Sequence, residues 1–128
     1  RTTNWFSALY DRIKQAQSLT HKLLDQVKAK KLAGYGVSHS VTTLIHQFDL
    51  TERIHALTDD NKRRQGMFAP GSGLNVVSPQ SVIIEGFDTV IIMAWQHDGL
   101  IKRRLQDLQF KGSIIQPLPR ALLLDLKF

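Results

Sequence analysis

The chain contains no cysteine. That excludes disulfides and thiolate metal sites within it, and it fits a cytoplasmic setting. It also lacks any apolar run near the ~18 residues needed to cross a membrane. The longest apolar stretches, residues 90–95 and 121–124, are of strand or tail length. Trp5, Phe6 and Leu9 are interspersed with polar residues, so the N-terminus carries no signal-peptide core. The chain begins at Arg1 without a methionine, and we expect a piece of a longer polypeptide. Metal signatures are missing as well. His21, His39, His46, His55 and His97 show neither a two-histidine helical spacing with a glutamate nor a carboxylate cluster, so no metal is expected. There is no Gly-x-Ser-x-Gly elbow, no phosphate loop ending in Gly-Lys-Ser/Thr, no internal repeat and no low-complexity segment.

What is present is enough for one domain: 128 residues, 42% of them hydrophobic. Seventeen Lys and Arg against eleven Asp and Glu give a net charge of +6, which favours anionic partners. The cations fall in three clusters: Lys28, Lys30 and Lys31; Lys62, Arg63 and Arg64; Lys102, Arg103 and Arg104. The first and third sit on helices or at their ends, where solvated charge is ordinary. The middle cluster follows Asp59 and Asp60 in a loop, where solubilising charge and a phosphate-facing role both remain open.

Residues 3–30 read as one long amphipathic helix. Trp5, Leu9, Ile13, Ala16, Leu19, Leu23 and Val27 recur at spacings of three and four, uninterrupted by glycine or proline. We assign residues 1–30 to a connector helix and 31–128 to the domain proper. The helix can pack across a sheet or bridge to a neighbouring domain. Strands are expected over residues 31–35, 53–58, 75–77, 88–94 and 113–116, with helices over 40–48, from Ser78-Pro79 onward, and over 98–108. Ser is a good N-cap and Pro suits the first helical position. The run Val90-Ile91-Ile92-Met93 does not alternate, as expected of a strand buried on both faces. Strands separated by helices imply right-handed crossovers. The predicted fold is therefore α/β: a Rossmann-like five-stranded parallel sheet ordered 3-2-1-4-5, flanked by helices.

Ligands of such sheets sit at the carboxyl edge where the strand order reverses, here between the first and fourth strands. The stretch Gly34-Tyr35-Gly36-Val37-Ser38-His39-Ser40 is a strand running through a glycine turn into a helix start. Glycines let backbone approach a ligand, and the helix start points free N–H groups at an anion. A full dinucleotide fingerprint needs a third glycine, absent here. The candidate substrate-binding residues are Tyr35, Gly36, Ser38, His39, Asp59, Asp60, Asn61 and Trp95. Each has a plainer alternative. Gly34 and Gly36 serve any tight strand-to-helix turn, and the serines serve as helix caps. Tyr35 and Trp95 either contact a ligand or cover the core. Asp59 and Asp60 accept ribose hydroxyls or, with Asn61, simply form a turn. Residues 65–73 form a lid or a mere connection. As an edge residue, Gly36 is expected to tolerate valine with the fold largely intact. His97-Asp98 joins a group that titrates near neutrality to a carboxylate, but adjacent residues rarely orient each other, so no catalytic residue is assigned.

The helix running into Leu32-Ala-Gly-Tyr-Gly-Val37, followed in order by Thr43-Leu44, Thr58-Asp-Asp-Asn61, Gln65-Gly66, Pro70-Gly-Ser-Gly73, Val77-Ser-Pro79, Val90-Ile-Ile-Met-Ala-Trp95, Gly112 and Ile115-Gln-Pro-Leu-Pro119, spans roughly residues 3–119. Together they resemble the C-terminal domain of the sugar C-methyltransferases, S-adenosylmethionine-dependent enzymes that build branched deoxysugars on nucleotide carriers. The resemblance implies a Rossmann-like, non-catalytic domain that helps hold a nucleotide-sugar. S-adenosylmethionine and the proton-abstracting residues would belong to a separate methyltransferase domain, the expected partner, reached through the N-terminal helix. No membrane partner is expected. The alternative is a basic interaction module for nucleic acid or an acidic protein. The chain lacks the aromatic interleaving of single-strand binders and any helix-turn-helix spacing, so nucleic acid is the weaker expectation. A stand-alone dinucleotide enzyme is weaker still, since only one mononucleotide half is present.

Overall fold

A computed structural model describes residues 2–37, 45, 46, 48–69, 73–94, 97–117 and 122–125. Helix α1 (Thr2–Gln26) precedes strand β1 (Leu32–Tyr35). Then come β2 (Ala56–Thr58), β3 (Val76–Val77), helix α2 (Pro79–Ile84), β4 (Thr89–Ile92), helix α3 (Asp98–Asp107), β5 (Ser113–Gln116) and β6 (Leu122–Asp125). The first five strands are parallel and lie in the order 3-2-1-4-5, as the pattern of strands and crossovers predicts. A sixth strand was not expected: β6 runs antiparallel beside β5, pairing Ile114 with Leu124 and Ile115 with Leu123. Of the helix expected over residues 40–48, Ile45 and His46 are helical and Phe48 lies in a turn; the rest lies outside the described residues.

The sheet is buried on both faces, which is why its central strands read as unbroken apolar runs. Every residue of β1 and β4 is buried. Leu32, Leu57, Ile91, Met93 and Ile115 point to one face, where Ala16, Leu24, Ile45, Phe48, Leu50 and Ile54 cover them. Ala33, Tyr35, Val90, Ile92 and Ile114 point to the other, against Val82 of α2 and Ile101 and Leu105 of α3. The inward row of α1 is Ala16, Thr20 and Leu24, one side chain every four residues, whereas Leu19 is exposed. Spacing alone placed Leu19 inward. Thr20 can take a buried position because its hydroxyl donates to the Ala16 carbonyl at 2.7 Å.

Polar contacts fix the helix and the amino edge of the sheet. His21 donates from Nε2 to the Phe48 carbonyl (2.7 Å) and accepts at Nδ1 from Arg53 (3.1 Å). A carbonyl only accepts and a guanidinium only donates, so the Nε2–H tautomer is required. Arg53 also pairs with Asp25 at 2.8 Å. At the foot of β4, the Asp88 carboxylate accepts the Lys30 and Lys31 backbone N–H groups (3.0 and 3.1 Å) and the Thr89 hydroxyl (2.8 Å). Helix α2 starts as its sequence predicts, with Ser78 accepting the Ser81 N–H and Pro79 in the first turn.

Four helix ends close in the same way, with one residue at positive φ and paired bonds running back into the last turn. After α2 that residue is Gly86, but after α1 it is Lys28 (φ 55°), before Leu50 it is Asp49 (φ 53°), and after α3 it is Gln109 (φ 60°). Behind α3 the bonds run from Gln109 N–H to the Gln106 carbonyl and from Phe110 N–H to the Leu105 carbonyl, both 2.9 Å. A side chain at left-handed φ carries a conformational cost that glycine escapes. Gln109→Gly is therefore expected to stabilise the fold by about 0.5–1 kcal/mol after the gain in unfolded-chain entropy is offset. Urea denaturation should show a higher midpoint at unchanged slope.

Candidate functional site

At the carboxyl edge the strand order reverses between β1 and β4, and a cavity of about 100 Å³ opens there. It is lined by Tyr35 and Gly36 from the end of β1, Asp59 and Asp60 beyond β2, Ala94 beyond β4, and His97, Leu100 and Ile101 at the start of α3. Four of the eight residues predicted for the site thus meet: Tyr35, Gly36, Asp59 and Asp60. Ser38, His39 and Trp95 lie outside the described residues. Asn61 does not reach the cavity. Its N–H donates to Asp59 Oδ1 (2.8 Å) and its Oδ1 accepts the Arg63 N–H (3.0 Å), which is turn chemistry.

The two adjacent carboxylates, equivalent in the sequence, differ in what they hold. Asp59 is committed on both oxygens. Oδ2 accepts the Val37 N–H of the glycine turn (2.7 Å) and faces Arg64 Nη1 (3.4 Å), while Oδ1 takes Asn61. Its carbonyl accepts the Gln65 side-chain amide at 2.8 Å. Asp59 therefore ties the end of β2 to the turn after β1. Asp60 accepts the Tyr35 phenol on Oδ1 at 2.6 Å and faces Arg104 Nε at 3.4 Å. Its Oδ2 has no protein partner among the described residues, and the side chain is one-third exposed (34%).

The Tyr35 ring is buried in the α3-side core, with its hydroxyl turned toward Asp60. Burial, reinforced by the hydrogen bond to Asp60 and by both carboxylate charges, pushes the phenol well above its ordinary range. Tyr35 is therefore a permanent donor at neutral pH. At the head of α3, desolvation acts to raise the Asp98 carboxyl. The Gly99 N–H, the Gln116 amide (3.0 Å) and Lys102 (3.5 Å) outweigh it and hold the group below the usual carboxylate range. None of these partners is His97, so the His97-Asp98 neighbours form no acid–base dyad.

Gly36 departs from the expectation that an edge glycine tolerates a side chain. Its φ is +107°, and a Cβ there would meet the Ala94 Cβ at 2.4 Å and the Ala94 nitrogen at 2.9 Å. The close approach of the ends of β1 and β4 demands the glycine. The segment after Asp60 is laced to β3 and its approach by backbone bonds, Gly66 to Val76, Val76 to Met67 and Ala69 to Leu74. Residues 70–72 of the expected lid or connection lie outside the described residues. Sequence reasoning missed Arg104, whose cluster reads as surface charge, and Leu100, whose apolar side chain is half-exposed over the cavity (55%). Among the described residues no three His, Asp or Glu side chains stand together as metal ligands, and no helix is long and apolar enough to cross a membrane.

Two outcomes follow. Gly36→Ala is expected to cost about 2–4 kcal/mol from positive φ and backbone contact together, seen as a lowered melting temperature. For Tyr35, a folded pKa above the unfolded one means its contribution is intact below the unfolded value of about 10. It is lost as pH rises beyond that, at up to about 1.4 kcal/mol per pH unit. Tyr35→Phe should flatten this alkaline loss in urea titrations between pH 9 and 11; identical profiles would show that the phenol is not the group responsible.

The fold is similar to the crystal structure of UDP-D-quinovosamine 4-dehydrogenase from Vibrio fischeri, with a TM-score of 0.51 at 15% identity over 78% of this chain and 95% of that chain. At that identity the likeness is one of fold. No curated protein matches the chain. The family model of the C-methyltransferase C-terminal domain matches residues 1–119, nearly the full length and every element from α1 to β5, and the chain belongs to that family.

Proposed function

We propose that this domain is a non-catalytic part of a C-methyltransferase and helps to bind its nucleotide-sugar substrate. S-adenosylmethionine and the acid–base chemistry are assigned to a separate methyltransferase domain of the same polypeptide or complex. The observation that carries the reading is the free Oδ2 of Asp60, held by Tyr35 beside a cavity at the reversal point of the sheet. A fixed carboxylate oxygen there can accept a ribose or sugar hydroxyl. Family membership supports it, and the fold neighbour is by its name an enzyme of a UDP-sugar.

The size of the cavity argues for a shared site. Pockets that enclose a ligand run to roughly 300–1,000 Å³, whereas this one measures about 100 Å³. The edge can form one wall of a nucleotide-sugar site, and a second domain would supply the other. The outer part of α1, where Tyr10, Arg12 and Lys14 are exposed, suits the long N-terminal helix to a connecting role. The rival reading, a basic module for nucleic acid or an acidic protein, rests on the +6 charge and the three basic clusters.

Titration calorimetry with uridine and thymidine diphosphate sugars on the natural-length protein tests the reading. Saturable heat is expected, and it should weaken sharply in Asp60→Ala. Absence of heat with every nucleotide-sugar, combined with salt-sensitive binding of DNA, would transfer the function to the rival class.

A further inference from the structure

We propose that Arg64 and Arg104 receive the diphosphate of the ligand, an inference that rests on the nucleotide-sugar reading above. They come from different basic clusters, yet the fold brings them to consecutive residues. Arg64 Nη1 reaches Asp59 Oδ2 and Arg104 Nε reaches Asp60 Oδ1, both at 3.4 Å. Asp59 and Asp60 line the cavity at the reversal point of the sheet. The two guanidinium groups therefore flank the place where a ligand's hydroxyls would meet Asp60.

Chemistry selects these two. Of the six cations in the clusters at 62–64 and 102–104, the two that reach the acidic pair are both arginine. A guanidinium presents a planar fork that matches two phosphate oxygens, which an ammonium cannot do. Lys102 is instead paired with Asp98, away from the acidic pair. Each arginine uses one nitrogen on its carboxylate, and its other N–H groups have no protein partner among the described residues. Both side chains are nearly half exposed, at 43% and 47%. Long, solvated ion pairs of this kind contribute little to stability and exchange readily. A diphosphate can take the free edge of each guanidinium, with the carboxylates holding the pair in position before it arrives. The exposed side chains of Lys62, Arg63 and Arg103 make no ion pair among the described residues and add attraction for an anion at longer range.

The hydroxyl-accepting and phosphate-accepting parts of the site can be separated with inorganic pyrophosphate, which has no hydroxyl for Asp60 to accept. In titrations of the natural-length protein, Arg64→Gln and Arg104→Gln should each weaken pyrophosphate and nucleotide-sugar binding about tenfold. Lys14→Gln, on the exposed part of α1, should change neither. Asp60→Asn should strengthen pyrophosphate binding severalfold, because it removes a competing charge and releases Arg104. If both arginine variants keep wild-type melting and bind nucleotide-sugar like wild type, the inference is overturned while the nucleotide-sugar reading stands. Should an arginine variant fail to fold, unchanged or weaker pyrophosphate binding by Asp60→Asn overturns the inference independently. If the wild-type protein binds neither probe, both readings fall.

Discussion

The end of β1 is held from both sides, and the geometry of the candidate site depends on that. The Tyr35 carbonyl accepts the N–H groups of Met93 and Ala94 at 2.9 and 3.3 Å, while the Gly36 N–H donates to the Thr58 carbonyl at 2.8 Å. The last residue of β1 is therefore bonded to β4 on one side, and the next residue to β2 on the other. Three consecutive residues then act in three directions. Tyr35 sends its phenol to Asp60, Gly36 lets the backbone lie against Ala94, and Val37 turns its N–H onto Asp59. A shift in the register of β1 would exchange its two faces and break all three. The site is as firm as the sheet because it begins at hydrogen-bonded strand ends.

Much of this architecture is legible in the sequence because burial on both faces leaves a plain mark. Val90 to Met93 has no polar residue to alternate with, so it reads as a central strand, and the helix-sized gaps between apolar runs fix a parallel order. What is not legible depends on partners distant along the chain. Leu19 has the right spacing for the inward face of α1 and Thr20 the wrong chemistry, yet Thr20 is buried because it satisfies its own hydroxyl within the helix. The strand β6 is only four residues long, too short to distinguish from an apolar tail without β5 beside it. Lys28, Asp49 and Gln109 occupy positions where a sequence reader looks for glycine.

The acidic pair shows the same limit at the site itself. Asp59-Asp60-Asn61 is equally a turn and a ribose contact on paper. The structure divides the segment: Asp59 and Asn61 make the turn, and Asp60 faces the cavity with an oxygen to spare. Charge pattern alone could not separate Arg104 from its neighbours in the third basic cluster. Its place on α3, one turn beyond Leu100 and close to Asp60, does so.

These contacts fall into two energetic groups, and the division bears on how such an edge can be both self-paired and ready for a ligand. The Tyr35–Asp60 and Val37–Asp59 bonds are short and charge-assisted, at 2.6 and 2.7 Å, and partly removed from water. Bonds of this kind contribute about 1.5–3 kcal/mol each. The two arginine pairs are longer and more solvated, worth about 0–1 kcal/mol. An arriving anion would therefore exchange with the weak pairs before it disturbed the strong ones. Tyr35, Asp59 and the glycine turn would stay as the frame, while the guanidinium forks and Asp60 Oδ2 would change partners. A frame that stays in place limits the reorganisation that a flexible surface would require on binding. A small cavity with a firmly bonded frame and exchangeable rim charges is, on these grounds, consistent with the shared nucleotide-sugar site proposed above.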